Sequence, residues 1–468
     1  LHPIDGGGYY PPSDSWGSQG FSSVINSVSE QWTAGKDAVL KKSRKSLEEL
    51  ELFYGITGNF SSAFSADFLS MAVENLGYKY DATYHGFDLA PKAVSFQPLI
   101  LLGLEIQGAG KLKEQAKAMR DATQDALLKG AVRDHVRGGF FAASVDESWS
   151  VPDFRKWLVT QVQAINYFSQ FPEHRGLVQE VARTLLNDFR TADGLYSEFV
   201  QLKGAELEQN LTNTWALSDL DKVLDQHELK AFVECFGILP EGNVSEDLDF
   251  TGSFTGRNIL KHVNGDLNSP PIKSGLKKLK AFGDSNYQFK REAISSIEGN
   301  ALVISALVQA DFSDDAAQLL ERVVNAFWDK ERRYLHASSR GKDLHPSEAT
   351  SLGYALIIRS LLDFGGEVNQ LTANIMQVVL DKRFGSTLGP YLMTAKDDTQ
   401  IPSSLCAFLE YGVGSANSIS INNLKRLDEL FPDSGFELTA QSILQHLPED
   451  MTYSPERFPS LLLSGVGK

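Results

Sequence analysis

The feature that most constrains this chain is a recurring corner, an Asp followed within a few residues by an aromatic and usually a Gly. It occurs at Asp81…Gly86-Phe87, Asp134…Gly139-Phe140, Asp193-Gly194-Leu195-Tyr196, Asp329…Tyr334 and Asp381…Phe384-Gly385. Successive Asp residues lie 53, 59, 136 and 52 positions apart. A period in the fifties matches one helical hairpin plus its loop, and 136 is one such repeat carrying an insertion. Between corners the helices alternate in character. Tyr354 to Phe364 is apolar nearly all round, whereas Ala316, Leu319, Leu320, Val323, Val324 and Phe327 mark a single stripe. Phe154–Phe168 with Leu177–Phe189, and Ile297–Ala310 with the stripe just named, repeat the contrast. A helix apolar on every side must lie inside, and a striped one must cover it. Stacked hairpins of this kind close into a ring, so the expected fold is all-α, an (α/α)6 toroid.

Two segments stand apart from the repeat. Residues 1–19 contain Gly6-Gly7-Gly8-Tyr9-Tyr10-Pro11-Pro12, which forbids a helix. A long amphipathic helix is predicted next, about Phe21 to Tyr54, with Phe21, Val24, Ile25, Val28 and Trp32 along one stripe. The insertion spans about 201–292. It holds two short helical runs, Ser218–Cys235 and Gly275–Phe282, joined by turn-rich stretches such as Gly265-Asp266-Leu267-Asn268-Ser269-Pro270-Pro271. It reads as a lid over the ring or as an ornament.

Composition excludes some partners. A net charge of −16 argues against nucleic acid or anionic membrane, both of which reward cationic surface. The basic run from Lys273 to Lys280 reads as a solvated helix face. No apolar run approaches the ~20 residues of a bilayer span. Two cysteines, Cys235 and Cys406, form neither a metal spacing nor a disulfide framework, which favours a reducing intracellular compartment. The chain opens at Leu1 with no signal-peptide pattern, the start expected of a truncated or processed protein. Asn59, Asn210 and Asn243 each begin an Asn-x-Ser/Thr triplet, a number close to chance. No metal and no cofactor are expected.

The stretch from Arg133 to Trp157 concentrates polar and aromatic groups around Gly138-Gly139, as pockets do more often than plain turns. Five residues are candidates for acid–base work: His135, Asp146, Glu147 and Asp153 here, and Glu298 from an opposing hairpin. Proton removal and return at a carbon needs such a pair. Asp134, Phe140, Trp149, Trp157, Tyr354 and Asn417 are candidate ligand-binding residues, the Trp rings offering flat apolar surfaces. Each has a scaffold reading beside the functional one. His135 is then a histidine bonded to loop backbone, Asp134 a turn residue, Trp149 and Trp157 core packing, and Asn417 a helix cap.

With these residues in view, the chain resembles the spermatogenesis-associated protein 20 family. The resemblance rests on Gly7-Gly8-Tyr9-Tyr10-Pro11-Pro12 with Trp16-Gly17 and on Tyr80-Asp81…Gly86-Phe87-Asp88-Leu89-Ala90-Pro91-Lys92. It also rests on Asp134-His135…Gly138-Gly139-Phe140, Ser144-Val145-Asp146-Glu147…Trp149…Val151-Pro152, and Gly414-Ser415-Ala416-Asn417-Ser418. It implies a thioredoxin-like domain, of which 1–19 is the tail end, followed over 20–468 by a toroid similar to that of N-acylglucosamine 2-epimerase. The redox Cys-x-x-Cys of such a domain would precede Leu1. The chain departs from the family pattern at Asp153, Arg155 and Trp157, at Glu198-Phe199-Val200, at Ile297 and at Gly353, where polar groups of the family are replaced. Three functions follow. The first is a diverged toroid that binds a small carbohydrate or a protein partner with a degraded sugar-processing site. The second is an N-acyl-sugar epimerase or isomerase using His135 with a carboxylate. The third is an inverting glycosidase, which needs two carboxylates about 6.5–9.5 Å apart.

Overall fold

Among the described residues sixteen α-helices carry the fold: α1 Phe21–Tyr54, α2 Ala66–Lys79, α3 Gln97–Gln107, α4 Lys113–Lys129, α5 Leu158–Phe168, α6 Arg175–Thr184, α7 Leu217–Val223, α8 Gln226–Phe236, α9 Pro270–Asn286, α10 Ile297–Gln309, α11 Ser313–Phe327, α12 Ser351–Phe364, α13 Glu367–Phe384, α14 Ala416–Leu430, α15 Phe436–Gln445 and α16 Pro459–Gly465. The structure, a computed structural model, describes residues 3–15, 18–54, 66–108, 110–204, 211–249, 252–341, 343–398, 401, 405, 406, 408, 410 and 412–465. Trp16-Gly17 and the residues Asn59 and Asn210 lie outside the described residues.

Six helices form an inner ring. In order, α3 packs on α5, α5 on α10, α10 on α12, α12 on α14, α14 on α16, and α16 back on α3. Outside them, α4, α6, α11, α13 and α15 each pair with the inner helix that precedes them. The sixth outer position is filled from the other end of the chain. There α2 packs on α3 and on the Pro455–Arg457 turn that leads into α16. Asn75 Nδ2 donates to Tyr453 O at 3.1 Å and to Glu456 Oε2 at 2.8 Å, and Lys79 sits 3.3 Å from Glu456. The (α/α)6 ring is closed by these contacts.

The alternation in the sequence is why the helices sort this way. Along α12, Tyr354, Ala355, Leu356, Ile357, Ile358 and Leu361 are all buried, so only an inside position suits it. Helix α11 buries Ala316, Leu319, Leu320, Val323 and Phe327 and gives its other side to water. Each large apolar side chain so covered contributes about 1.5–3 kcal/mol. Side-chain caps start several inner helices: Ser296 for α10, Thr350 for α12, and the Ser415–Ser418 capping box for α14.

The two ends of the ring differ. Inner helices pass to outer ones by short turns, as from Gln309 to Ser313 and from Phe364 to Glu367. Outer helices return by long connections, as from Lys129 to Leu158 and from Phe327 to Ser351, and these hold small antiparallel sheets. One sheet orders Lys156–Trp157, Phe199–Gly204 and Tyr287–Arg291, with Leu202 opposite Phe289, so the insertion begins and ends on paired strands.

The insertion differs in detail from its sequence reading. Ser218–Cys235 is two helices, because Asp225 starts a fresh helix with a capping box to Glu228. Gly275–Phe282 extends back to Pro270-Pro271, which the sequence reading put in a turn; Pro in a first helical turn lacks only an N–H that would be unpaired there anyway. Trp215, Leu220, Phe232, Phe236 and Leu279 form a core cluster for these helices. Helix α1 spans its predicted range, with a non-helical break at Gly35. Of its expected stripe, Val24 is buried while Phe21, Ile25 and Trp32 remain exposed.

Candidate functional site

The Arg133–Trp157 stretch occupies the connection between α4 and α5, and its polar groups are largely committed to one another. Asp134 Oδ1 accepts from the backbone N–H of Val136 at 3.0 Å and of Arg137 at 2.8 Å. Its other oxygen lies 2.8 Å from the buried Lys156 ammonium, which also donates to Gly138 O at 2.7 Å and sits 3.4 Å from Asp188. Burial alone would raise the Asp134 carboxyl, but the Lys156 charge and these hydrogen bonds hold it below the ordinary value. For Asp188 burial wins over the same lysine, and its carboxyl is raised.

His135 Nε2 donates to Gly130 O at 3.2 Å and the ring packs against Phe236 of the insertion, ring centroids 5.6 Å apart. Burial, with Arg133 beside it, pushes His135 down to about 3. The cavity it touches is about 30 Å³, room for a water and no sugar. Asp146 accepts from Ser144 Oγ, from Ser148 N and Oγ, and from the N–H of Ser150 and Val151, at 2.5–3.3 Å. Burial opposes the charged form of Asp146, yet those donors keep its carboxyl below the ordinary range. Asp153 is paired with Arg155 through both carboxylate oxygens. Glu147 is exposed, and its backbone O accepts from Lys92 at 2.9 Å. Trp149 is buried, its indole N–H donating to Tyr84 O and His85 O at 3.1 Å.

Three other expected residues serve a repeated clamp. Asn417, in the first turn of α14, accepts from Tyr391 N at 2.7 Å and donates to Tyr391 O at 3.2 Å. Asn300 of α10 holds Tyr196 N and O in the same way, at 2.9 and 3.3 Å. Gln161 of α5 does so for the buried Phe140, at 2.9 and 2.7 Å. Tyr354 of α12 makes a half version, its hydroxyl accepting from Leu335 N at 3.0 Å while donating to Glu348 at 2.9 Å. The Gly138-Gly139 turn is needed for this clamp: both have positive φ, and a Cβ on Gly139 would come 2.5 Å from Gln161 Oε1. Gln161 and Asn300 were not among the expected residues; their signal was a lone amide in the first turn of an otherwise apolar helix.

Two carboxylates at this end are less committed. Glu298, in the first turn of α10, accepts from Thr350 Oγ1 at 2.8 Å, and burial raises its carboxyl. Glu198, which the sequence reading did not single out as a site residue, bonds Ser296 Oγ and is raised by burial, with Glu298 adding to the effect. Trp157 is 45% exposed beside them, pairing with Phe199.

A large cavity lies elsewhere. It has a volume of about 690 Å³ and lies inside the ring, lined from all six inner helices. Gln163 and Ser418 on its wall are buried, while Gln107, Gln170 and Gln309 are exposed, so it opens where the inner helices end and the short turns begin. None of the eleven expected residues lines it. They sit on the long connections or in first helical turns, at the opposite end. Ile100, Leu104, Val308 and Leu463 supply its apolar surface. Gln97, Gln107, Asn166 and Gln309 point polar side chains at it that make no hydrogen bond within the described residues.

Comparison with known proteins adds what the chain is similar to. No protein-family model matches the chain. It is 25% identical to human spermatogenesis-associated protein 20 over 99% of this chain and 66% of that one. An uncharacterized Caenorhabditis elegans protein, B0495.5, is 22% identical over 99% of this chain and 70% of its own length.

Over nearly its whole length the chain is similar to spermatogenesis-associated protein 20.

It spans about two thirds of the length of these relatives. Among solved structures, cellobiose 2-epimerase from Bacillus thermoamylovorans superposes with a TM-score of 0.50 at 10% identity, covering 81% of this chain and 85% of that one. A sugar epimerase from a ruminal bacterium gives 0.51 at 10% identity, covering 88% and 98%. At such identity the likeness is one of fold alone. Within the chain the corners repeat one another, the Asp81–Lys92 ion pair matching that of Asp134–Lys156. Among the described residues no group of three His, Cys, Asp or Glu is placed to hold a metal, and no helix is long and apolar enough to cross a membrane.

Proposed function

We propose that this chain binds a small carbohydrate in the lumen of its ring, and that its Asp–aromatic corners serve the scaffold. The observation that carries this reading is the cavity of about 690 Å³ edged by four amide side chains that have no hydrogen-bond partner among the described residues. Its volume falls in the ~300–1,000 Å³ range of small-molecule sites. Free amides beside an apolar wall suit a sugar, which offers hydroxyls at its rim and C–H groups on its faces. Gly103 supports the same reading. It lies mid-helix in α3 on the cavity wall, costs ~1 kcal/mol against Ala there, and a Cβ built on it meets nothing within 4 Å. No packing neighbour requires that glycine, whereas an open lumen does. That solved neighbours of this fold include enzymes named for cellobiose and sugar epimerisation is consistent with a sugar ligand.

The test is calorimetric titration of mono- and disaccharides into the wild-type protein and Gly103→Trp. Binding of a saccharide by the first and its loss in the second, at unchanged melting temperature, is the expected result. Failure of every saccharide, or equal binding by both proteins, overturns the proposal.

A second reading, an epimerase or isomerase, draws support from Glu198 and Glu298, two neighbouring carboxyls both raised by burial beside an exposed Trp157. Groups shifted toward neutrality suit proton transfer. Isomer interconversion followed by NMR, abolished in Glu298→Gln with the fold intact, would establish it over the first.

A further inference from the structure

The lumen holds a charge that the scaffold does not use. Arg359 of α12 lines the cavity, and its Nε is buried with no hydrogen-bond partner. Among the described residues it makes no hydrogen bond and no ion pair within 4.0 Å. The carboxylate one turn away, Asp363, is taken by Arg426 of α14, at 2.6 Å. The wall therefore presents two guanidinium groups and one carboxylate, in a chain whose net charge is −16.

A half-buried guanidinium whose buried Nε has no partner is costly, since desolvation falls on the charge with little to offset it. Burial first, and the Arg426 charge with it, holds Arg359 below the ordinary guanidinium value, with Asp363 acting in the other direction. The side chains of Gln309 and Gln107 belong to the lining of the same cavity. Carboxylates and phosphates are the groups that a guanidinium fork binds through paired N–H donors.

Building on the carbohydrate reading above, we infer that the lumen ligand is an anionic sugar, a monosaccharide-sized polyol bearing one carboxylate or phosphate that pairs with Arg359 while Asp363 keeps Arg426 in place. Arg359 is thus a specificity residue, and the amides engage the hydroxyls common to neutral and anionic sugars.

The experiment compares glucose, glucuronate, glucose 6-phosphate and inorganic phosphate by calorimetry against the wild-type protein, Arg359→Gln and Arg359→Lys. The expected result is that one of the two sugar anions binds at least about tenfold more tightly than glucose. Arg359→Gln removes that preference and leaves glucose binding within about twofold, and Arg359→Lys restores part of it. Which of the two anions binds tells a sugar acid from a sugar phosphate. If glucose binds as well as its anions, or Arg359→Gln leaves the preference intact, the inference is overturned and the carbohydrate reading stands. If inorganic phosphate binds as tightly as the sugar anions, the site reads charge alone and the inference is again overturned. If no sugar of either kind binds, both fall.

Discussion

Asn417 holds the backbone of Tyr391 from both sides, its Oδ1 accepting from Tyr391 N at 2.7 Å and its Nδ2 donating to Tyr391 O at 3.2 Å. Both groups are buried, so water cannot replace either bond. Asn417→Leu should cost about 2–4 kcal/mol, the sum of two lost hydrogen bonds and two unsatisfied backbone groups. Urea denaturation measures this. Saccharide affinity should stay within about twofold once the protein is folded, because Asn417 itself does not line the lumen; a stable but non-binding variant would return Asn417 to the ligand site.

Lys156→Met leaves Asp134 as an uncompensated buried carboxylate beside Asp188. A loss of about 3–5 kcal/mol at pH 7 is expected. The sign of the pH dependence is fixed by the depressed Asp134 carboxyl. Its stabilisation is present above the unfolded value of ~3.9 and disappears as pH falls through the folded one, so wild type and variant should converge in acid. Denaturation curves collected from pH 7 downward test it, and parallel curves would refute it.

His135 acts in a higher window. Its folded value of about 3 lies below the unfolded 6.5, so it contributes stability above pH 6.5 that is lost as pH falls toward 3. Melting temperatures between pH 7.5 and 4.5 should fall less steeply for His135→Asn than for wild type. An imidazole signal titrating near 6.5 in the folded protein would contradict this and reopen an acid–base role.

Glu298 has the opposite sign. Burial raises its folded-state value, so what it contributes is present in acid, below the unfolded value, and lost as pH rises through the folded one. Glu298→Gln, which keeps an acceptor for Thr350, is therefore expected to melt about 1–3 °C higher than wild type at pH 7.5, an order-of-magnitude figure. A lower melting point would mean the carboxylate is held by something other than Thr350.

The ring was legible in the sequence because its causes are local. The all-round apolar run of α12 and the single stripe of α11 determine which helix lies inside, and the five Asp–aromatic corners mark all but one of the six hairpins. The corners also misdirect a reader in search of chemistry. Their density of His, Asp and Trp is what a pocket looks like in one dimension, yet Asp146 spends its oxygens on its own loop and His135 is covered by Phe236. The lumen was hidden for the converse reason. Gln107, Asn166, Gln309 and Arg359 are single polar residues spread over four helices, with no spacing to join them until the ring closes. Gly103 was the one local hint, a glycine where an inner helix has no turn to make.

The most direct test is a crystal structure of the protein soaked with the tightest saccharide found by titration. Density for the sugar between the inner helices, against Gly103 and Gln309 and beside Arg359, is the predicted result. Density at Trp157, between Glu198 and Glu298 on the long-connection end, with the lumen holding only solvent, would contradict it.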